Sequence, residues 1–198
     1  MKPKTNTLLA AAIFLAAIPL AQAHPGHDPA TGLASGFAHP FSGWDHLLTM
    51  LAVGYWAAQL RAPRLLPAAF LLAMSLGAVA GHFWSGPVPG LEQGIAASVF
   101  LAGLLIACRA RVSVTAGAAW VGAFAVLHGA AHGAEMPATA GAIAYGAGFV
   151  AATALLLAAG VAAGLLSARL PARAARAPGW AVAAAGLAML ALSAGFKP

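Results

Sequence analysis

"TAGAAWVGAFAVLHGAAHGAE", residues 115–135, runs without a charge for more than three helical turns and then sets two histidines and a glutamate at its end. A helix needs roughly 20 residues at about 1.5 Å each to cross a hydrocarbon core of about 30 Å. The stretch therefore reads as a membrane span whose last turns carry chemistry. The rest of the chain agrees: of 198 residues 62% are hydrophobic and 7% charged, with a mean hydropathy of +0.86. A water-soluble fold would have too little polar surface to cover itself.

Working outward from this stretch, six apolar segments are long enough to span, near 42–60, 66–84, 90–108, 112–131, 139–167 and 178–196. Pro, Gly and Arg punctuate them in "RAPR", "SGPVPG", "RAR" and "RLPARAARAP". The predicted fold is all-α, a bundle of six transmembrane helices in one domain over residues 24–198. The fifth segment is long enough to tilt or to continue past the membrane.

Ahead of the bundle, residues 1–23 have the grammar of a cleavable signal peptide. Lys2 and Lys4 precede an apolar run from Leu8 to Leu20, which ends in the small-residue site Ala21-Gln22-Ala23. The run is short for a span. Removing two lysines lowers the net charge from +6 to +4. The arginines sit in short loops with no basic stripe and no interleaved aromatics, so no nucleic-acid partner is expected. Cys108 is alone and offers neither a disulfide nor a paired-thiolate site.

Direction follows from the loops. Arg61 and Arg64 follow the first span, Arg109 and Arg111 the third, and Arg169, Arg173 and Arg176 the fifth, while the loops after spans two and four hold no Lys or Arg. Those three basic loops are expected on the cytoplasmic side of a bacterial inner membrane, with both mature termini periplasmic. Small-xxx-small spacings at Gly77/Gly81, Gly90/Gly94, Gly129/Gly133 and Gly160/Gly164 predict close helix packing and carry no chemistry.

With that orientation every His, Asp and Glu beyond residue 23 falls toward the outer face: His24, His27, Asp28, His39, Asp45, His46, His82, Glu92, His128, His132 and Glu135. Ionisable groups within spans cost roughly 2.5–3.5 kcal/mol each on insertion scales, so a cluster at one depth needs partners or a task. Neutral imidazole suits Zn, Ni, Co and Cu, and a neighbouring carboxylate adds charge and orients the ring.

His128, His132 and Glu135 are spaced four and three apart, which puts them on one face of a continuous helix. Gly129 and Gly133 remove bulk beside the histidines, leaving room for another helix or a hydrated ion. In "HPFSGWDHLLTM", residues 39–50, His39 lies seven before His46, so the two share a face if Pro40 occupies the first helical turn. Met50 continues that face inward, as packing more often than as a ligand. Asp45 is expected to point about 100° from His46, toward a neighbouring helix or a histidine of span four. His82 and Glu92 are weaker candidates, since a histidine at a helix end or a carboxylate at a helix start also has plain structural uses. "HPGHD", residues 24–28, would give the mature N-terminus two imidazoles and a carboxylate that could capture metal or merely be solvated.

These residues resemble the HupE/UreJ family of nickel permeases, associated with hydrogenase and urease gene clusters. The family's His-x5-Asp-His pattern appears as His39, Asp45 and His46. Its Phe-His-Gly-x-Ala/Val-His-Gly-x-Glu pattern appears as Leu127, His128, Gly129, Ala130, Ala131, His132, Gly133, Ala134 and Glu135, with Leu127 departing from Phe. The resemblance covers the whole chain. It implies inward transport of Ni2+ or Co2+ as cargo, no permanently bound cofactor, and a physiological link to hydrogenase or urease maturation; it leaves a homo-oligomer open.

Two other chemistries fit a histidine–carboxylate cluster. An intramembrane zinc hydrolase would activate water on the metal, but the cluster sits at the rim without a companion catalytic motif. A membrane metal sensor would bind without flux. Because imidazole binds metal only when neutral, with an ordinary pKa of about 6.5, binding is expected to weaken as the medium acidifies below that value.

Overall fold

The computed structural model describes residues 32–84, 86–136 and 141–195. The expected signal peptide, together with His24, His27 and Asp28, lies outside the described residues. Seven α-helices occupy the described residues, with no strand among them: α1 (Leu33–Ala38), α2 (Trp44–Gln59), α3 (Leu65–Phe83), α4 (Leu91–Ala107), α5 (Val114–Glu135), α6 (Ala142–Ser167) and α7 (Ala172–Ser193). A 3-10 turn, His39–Phe41, joins α1 to α2.

Four of these helices, α3, α5, α6 and α7, are long and apolar enough to cross a membrane. α4 is apolar but 17 residues long, and α2 has 16, about 24 Å of helix. α3 and α6 are apolar on both sides. α3 buries Leu66, Phe70, Met74, Gly77 and Gly81 inward while Leu72, Leu76 and Val79 remain 58–65% exposed on its other face. Ile143, Leu155, Leu165 and Leu166 do the same on α6. Such outward apolar stripes are at home against lipid and out of place in water. The chain is a membrane protein.

Glycine determines how the helices pair. An added Cβ at Gly77 or Gly81 would strike the backbone of Val126 or Ala130, and one at Gly129 or Gly133 the backbone of Met74 or Ala78. α3 and α5 thus run in parallel at backbone contact. α2 and α6 pair the same way through Gly54, Gly160 and Gly164, and α4 packs antiparallel to α7 through Gly103, Gly179 and Gly186. The expected Gly90/Gly94 contact does not form. Gly90 takes a left-handed conformation (φ 76°) capping α4, and Gly94 faces the Leu127 side chain.

Three further differences have local causes. "RLPARAARAP" is not a loop, because α7 begins at Ala172 and continues through Pro178. Ala and Arg are strong helix formers, and their propensity outweighs the hydrogen bond lost at one proline. α1 was not foreseen; it packs on α6, where Gly36 lies against the Tyr145 backbone and Gly148 against Leu33. Arg61 and Arg109 adopt left-handed conformations (φ 59° and 51°). Each occupies the position just past its helix that usually takes glycine, closed by Ala62 N–H to Ala57 O and by Ala110 N–H to Leu105 O, both 2.9 Å.

Candidate metal centre

The parallel α2/α6 and α3/α5 pairs, with α4 held to α5 by Gly94 against Leu127 and Ser98 against His128, bring the N-termini of α2, α4 and α6 and the C-termini of α3 and α5 to one end of the bundle. There, side chains from the 3-10 turn, α2 and α5 meet. His39 Nε2 lies 3.1 Å from His132 Nδ1 and 3.1 Å from Glu135 Oε2, and His132 Nδ1 lies 3.7 Å from the same carboxylate oxygen. Ligand atoms of these three residues all fall within 4.8 Å of one another. This is the outer tier.

One turn further along α5, about 6 Å deeper, His128 is fully buried at 0% exposure. Its ring centroid lies 5.0 Å from that of His46. His132 stands between the tiers, with its ring 5.0 Å from His39 and 3.9 Å from His46. Phe149 of α6 closes one side, 4.2 Å from the His132 ring.

Each tier has atoms without partners. His46 Nε2, His128 Nδ1 and His132 Nε2 are buried and make no hydrogen bond. Leaving a buried polar atom unpaired costs about 1–3 kcal/mol, and such atoms are rare in native structures. Thr49, Gln59 and Thr153 also leave buried polar atoms unpaired, but these three nitrogens sit on adjoining imidazoles, a donor type that suits divalent cations.

The expected shared helical face of His39 and His46 does not exist. Gly43 is extended (φ −102°, ψ 122°) and starts α2 afresh, so His39 sits on the 3-10 turn and reaches the cluster through His132 and Glu135. Asp45 also departs from expectation: rather than crossing to another helix, its Oδ1 accepts from His46 Nδ1 at 2.7 Å and from the His46 backbone N–H at 2.9 Å. A carboxylate in the first turn of a helix is drawn to the free N–H groups there. This fixes the proton on Nδ1 and leaves the lone pair of His46 on Nε2, the unpartnered atom.

Of the weaker candidates, Glu92 lines an open cavity of about 230 Å³ together with His39, Asp45, His46, His132 and Glu135. His82 stands against Phe83, ring centroids 5.2 Å apart, outside the converging group. Met50 is fully buried packing at 0% exposure. Gly129 and Gly133 admit helix α3 rather than an ion. Leu127 packs over Gly94, and the aromatic near His128 comes from α3 instead, with Phe70 at 6.2 Å.

Two contributors carry no motif in the sequence. Ser98 of α4 sits 2.8 Å from His128 Nε2. Gly43 is required by crowding: a Cβ there would lie 2.8 Å from Asp45 Oδ1 and 2.9 Å from His46 Nδ1.

An all-helical membrane bundle with several imidazoles, three of them bearing a buried nitrogen without a partner, and carboxylates gathered at one end defines a polytopic membrane protein with a candidate divalent-cation centre. The chain belongs to the HupE/UreJ family. The family described as HupE / UreJ protein matches residues 11–189. The chain is 42% identical over 192 residues to Protein HupE of Rhizobium leguminosarum bv. viciae, covering 94% of this chain and 97% of that protein. No solved structure matches.

Proposed function

We propose that the protein is a permease that brings Ni2+ or Co2+ into the cytoplasm through the histidine–carboxylate cluster at the end of α2 and α5. The observation that carries this reading is the set of three buried ring nitrogens, on His46, His128 and His132, that lack any partner. Family membership supports the class of cargo.

In this reading α2 to α7 are the six spans, residues 1–23 are a cleaved signal peptide, and the arginine-bearing ends of α2, α4 and α6 face the cytoplasm. A hydrated dication meets Glu92, Glu135 and His39 at the rim. It exchanges water for His39, His132 and Glu135, then for the deeper rings of His46 and His128, and continues inward between α2 and α5. Residues 24–28 are proposed as a capture segment through His24, His27 and Asp28, and His82 is left with packing. The membrane potential drives uptake: at about 2.3 kcal/mol per charge per 100 mV, a dication gains roughly 4.6 kcal/mol. That is sufficient for accumulation without a nucleotide. The protein acts as a transporter and not as an enzyme.

Uptake of radiolabelled nickel by cells expressing the chain tests this. His128→Ala and His132→Ala, present at normal levels in the membrane, lose saturable uptake. Near-normal uptake by both variants would remove the α5 residues from the path.

A further inference from the structure

Ser98 lies on α4, outside both histidine motifs, and is 1% exposed. Its Oγ is 2.7 Å from Ile95 O and 2.8 Å from His128 Nε2. A hydroxyl has one proton, and a carbonyl oxygen only accepts. The Ser98 proton therefore points to Ile95 O, and Oγ turns a lone pair to the ring. His128 Nε2 must then carry hydrogen and donate it. Neutral imidazole has one proton, so the lone pair of His128 stands on Nδ1, and Nδ1 is the buried atom that lacks a partner.

We propose that Ser98 is a positioning residue: it holds His128 as the Nε2–H tautomer and fixes its ring plane so that Nδ1 faces a divalent cation. This rests on the reading above, in which His128 is a ligand. Ser98 differs from the other helix serines among the described residues. Ser35, Ser75, Ser167 and Ser193 each donate to a backbone carbonyl three or four residues earlier and go no further. Only Ser98 also accepts from a second side chain.

The arrangement complements the one at His46, where Asp45 holds the proton on Nδ1 and frees Nε2. The two rings are thus locked in opposite tautomers, one by a charged group and the other by a neutral one. Depth explains the choice. Asp45 is 28% exposed on its side chain at the rim, whereas the Ser98 and His128 pair is closed off from solvent, where a carboxylate would be costly and a hydroxyl anchored to its own helix is not.

The test compares concentration dependence of labelled-nickel uptake in cells carrying the wild-type chain, S98A, S98T and H128A at matched membrane levels. Loss of an outer-shell partner typically weakens metal affinity about 10–100-fold. S98A is expected to raise the half-saturating nickel concentration by that factor with the maximal rate within about twofold, and S98T to restore most of it. S98C, whose thiol is a weaker acceptor, falls between and serves if S98T does not accumulate. A wild-type half-saturation in S98A, or equal losses in S98A, S98C and S98T, overturns the inference. Normal uptake by H128A would instead overturn the underlying reading, so the two failures are separable.

Discussion

Replacing Asp45 distinguishes an orienting carboxylate from a ligand. In the structure Asp45 Oδ1 accepts two hydrogen bonds from His46, at 2.7 Å from the ring and 2.9 Å from the backbone. Asn at this position can keep an oxygen acceptor but loses the charge. Hydrogen bonds to charged groups contribute about 1.5–3 kcal/mol and neutral ones about 0.5–1.5, so D45N forfeits about 1–1.5 kcal/mol. Ion binding makes the ring N–H more acidic and so strengthens its bond to the carboxylate. The loss therefore falls on the loaded state and amounts to about tenfold in affinity. D45A releases the tautomer and the ring plane together and should cost more, toward the upper part of the 10–100-fold range for outer-shell partners. Half-saturation for nickel uptake at matched expression reads both. The graded order, wild type tightest, then D45N, then D45A, is the expected result. If D45N loses saturable uptake as completely as H46A, Asp45 is a ligand and the orienting role is wrong; if D45A matches wild type, it has neither role.

Other perturbations follow from the same geometry. G43A pushes a methyl group to 2.8 Å from Asp45 Oδ1 and 2.9 Å from His46 Nδ1, so it should raise the half-saturating nickel concentration while leaving the melting temperature of the detergent-solubilised protein within a few degrees. G129A and G133A bring Cβ into the backbone of α3; overpacking of this kind costs about 1–3 kcal/mol, and both should lower the melting temperature and membrane yield. R61G removes a left-handed non-glycine residue (φ 59°) whose conformation costs roughly 1–2 kcal/mol, so thermal stability should rise. Its loss of a positive charge should also weaken the topological bias of that loop, readable by a reporter fused after α2.

Apolar runs between Pro, Gly and Arg breaks made six of the seven described helices legible, although α2 and α4 are shorter than the spans expected there, and the six-residue α1 left no such signal. Five of the six expected segments begin within three residues of a helix. The exception, α7, starts early because the helix propensity of its Ala and Arg residues outweighs one proline. On α5 the spacing of His128, His132 and Glu135 transferred directly to the structure, since all three lie on one continuous helix ending at Glu135. The segment around His39 did not transfer. Seven residues make two turns only if nothing interrupts them, and Gly43 does. Asp45 turns to His46 instead of another helix because helical angles describe where a Cβ points, while a short carboxylate in a first turn bends back to the nearest N–H donors. Ser98 was invisible for a different reason: its role depends on which helix α4 meets, and one hydroxyl in an apolar run carries no record of that.

In the proposed permease, imidazoles from α2 and from α5 hold one ion together. X-ray absorption at the nickel edge, on purified protein loaded with a single equivalent of Ni2+, tests this most directly. Nitrogen and oxygen neighbours are expected, with outer-sphere scattering from several imidazole rings that diminishes in His46→Ala and again in His132→Ala. A spectrum without imidazole scattering, or one unchanged by losing either ring, would contradict it.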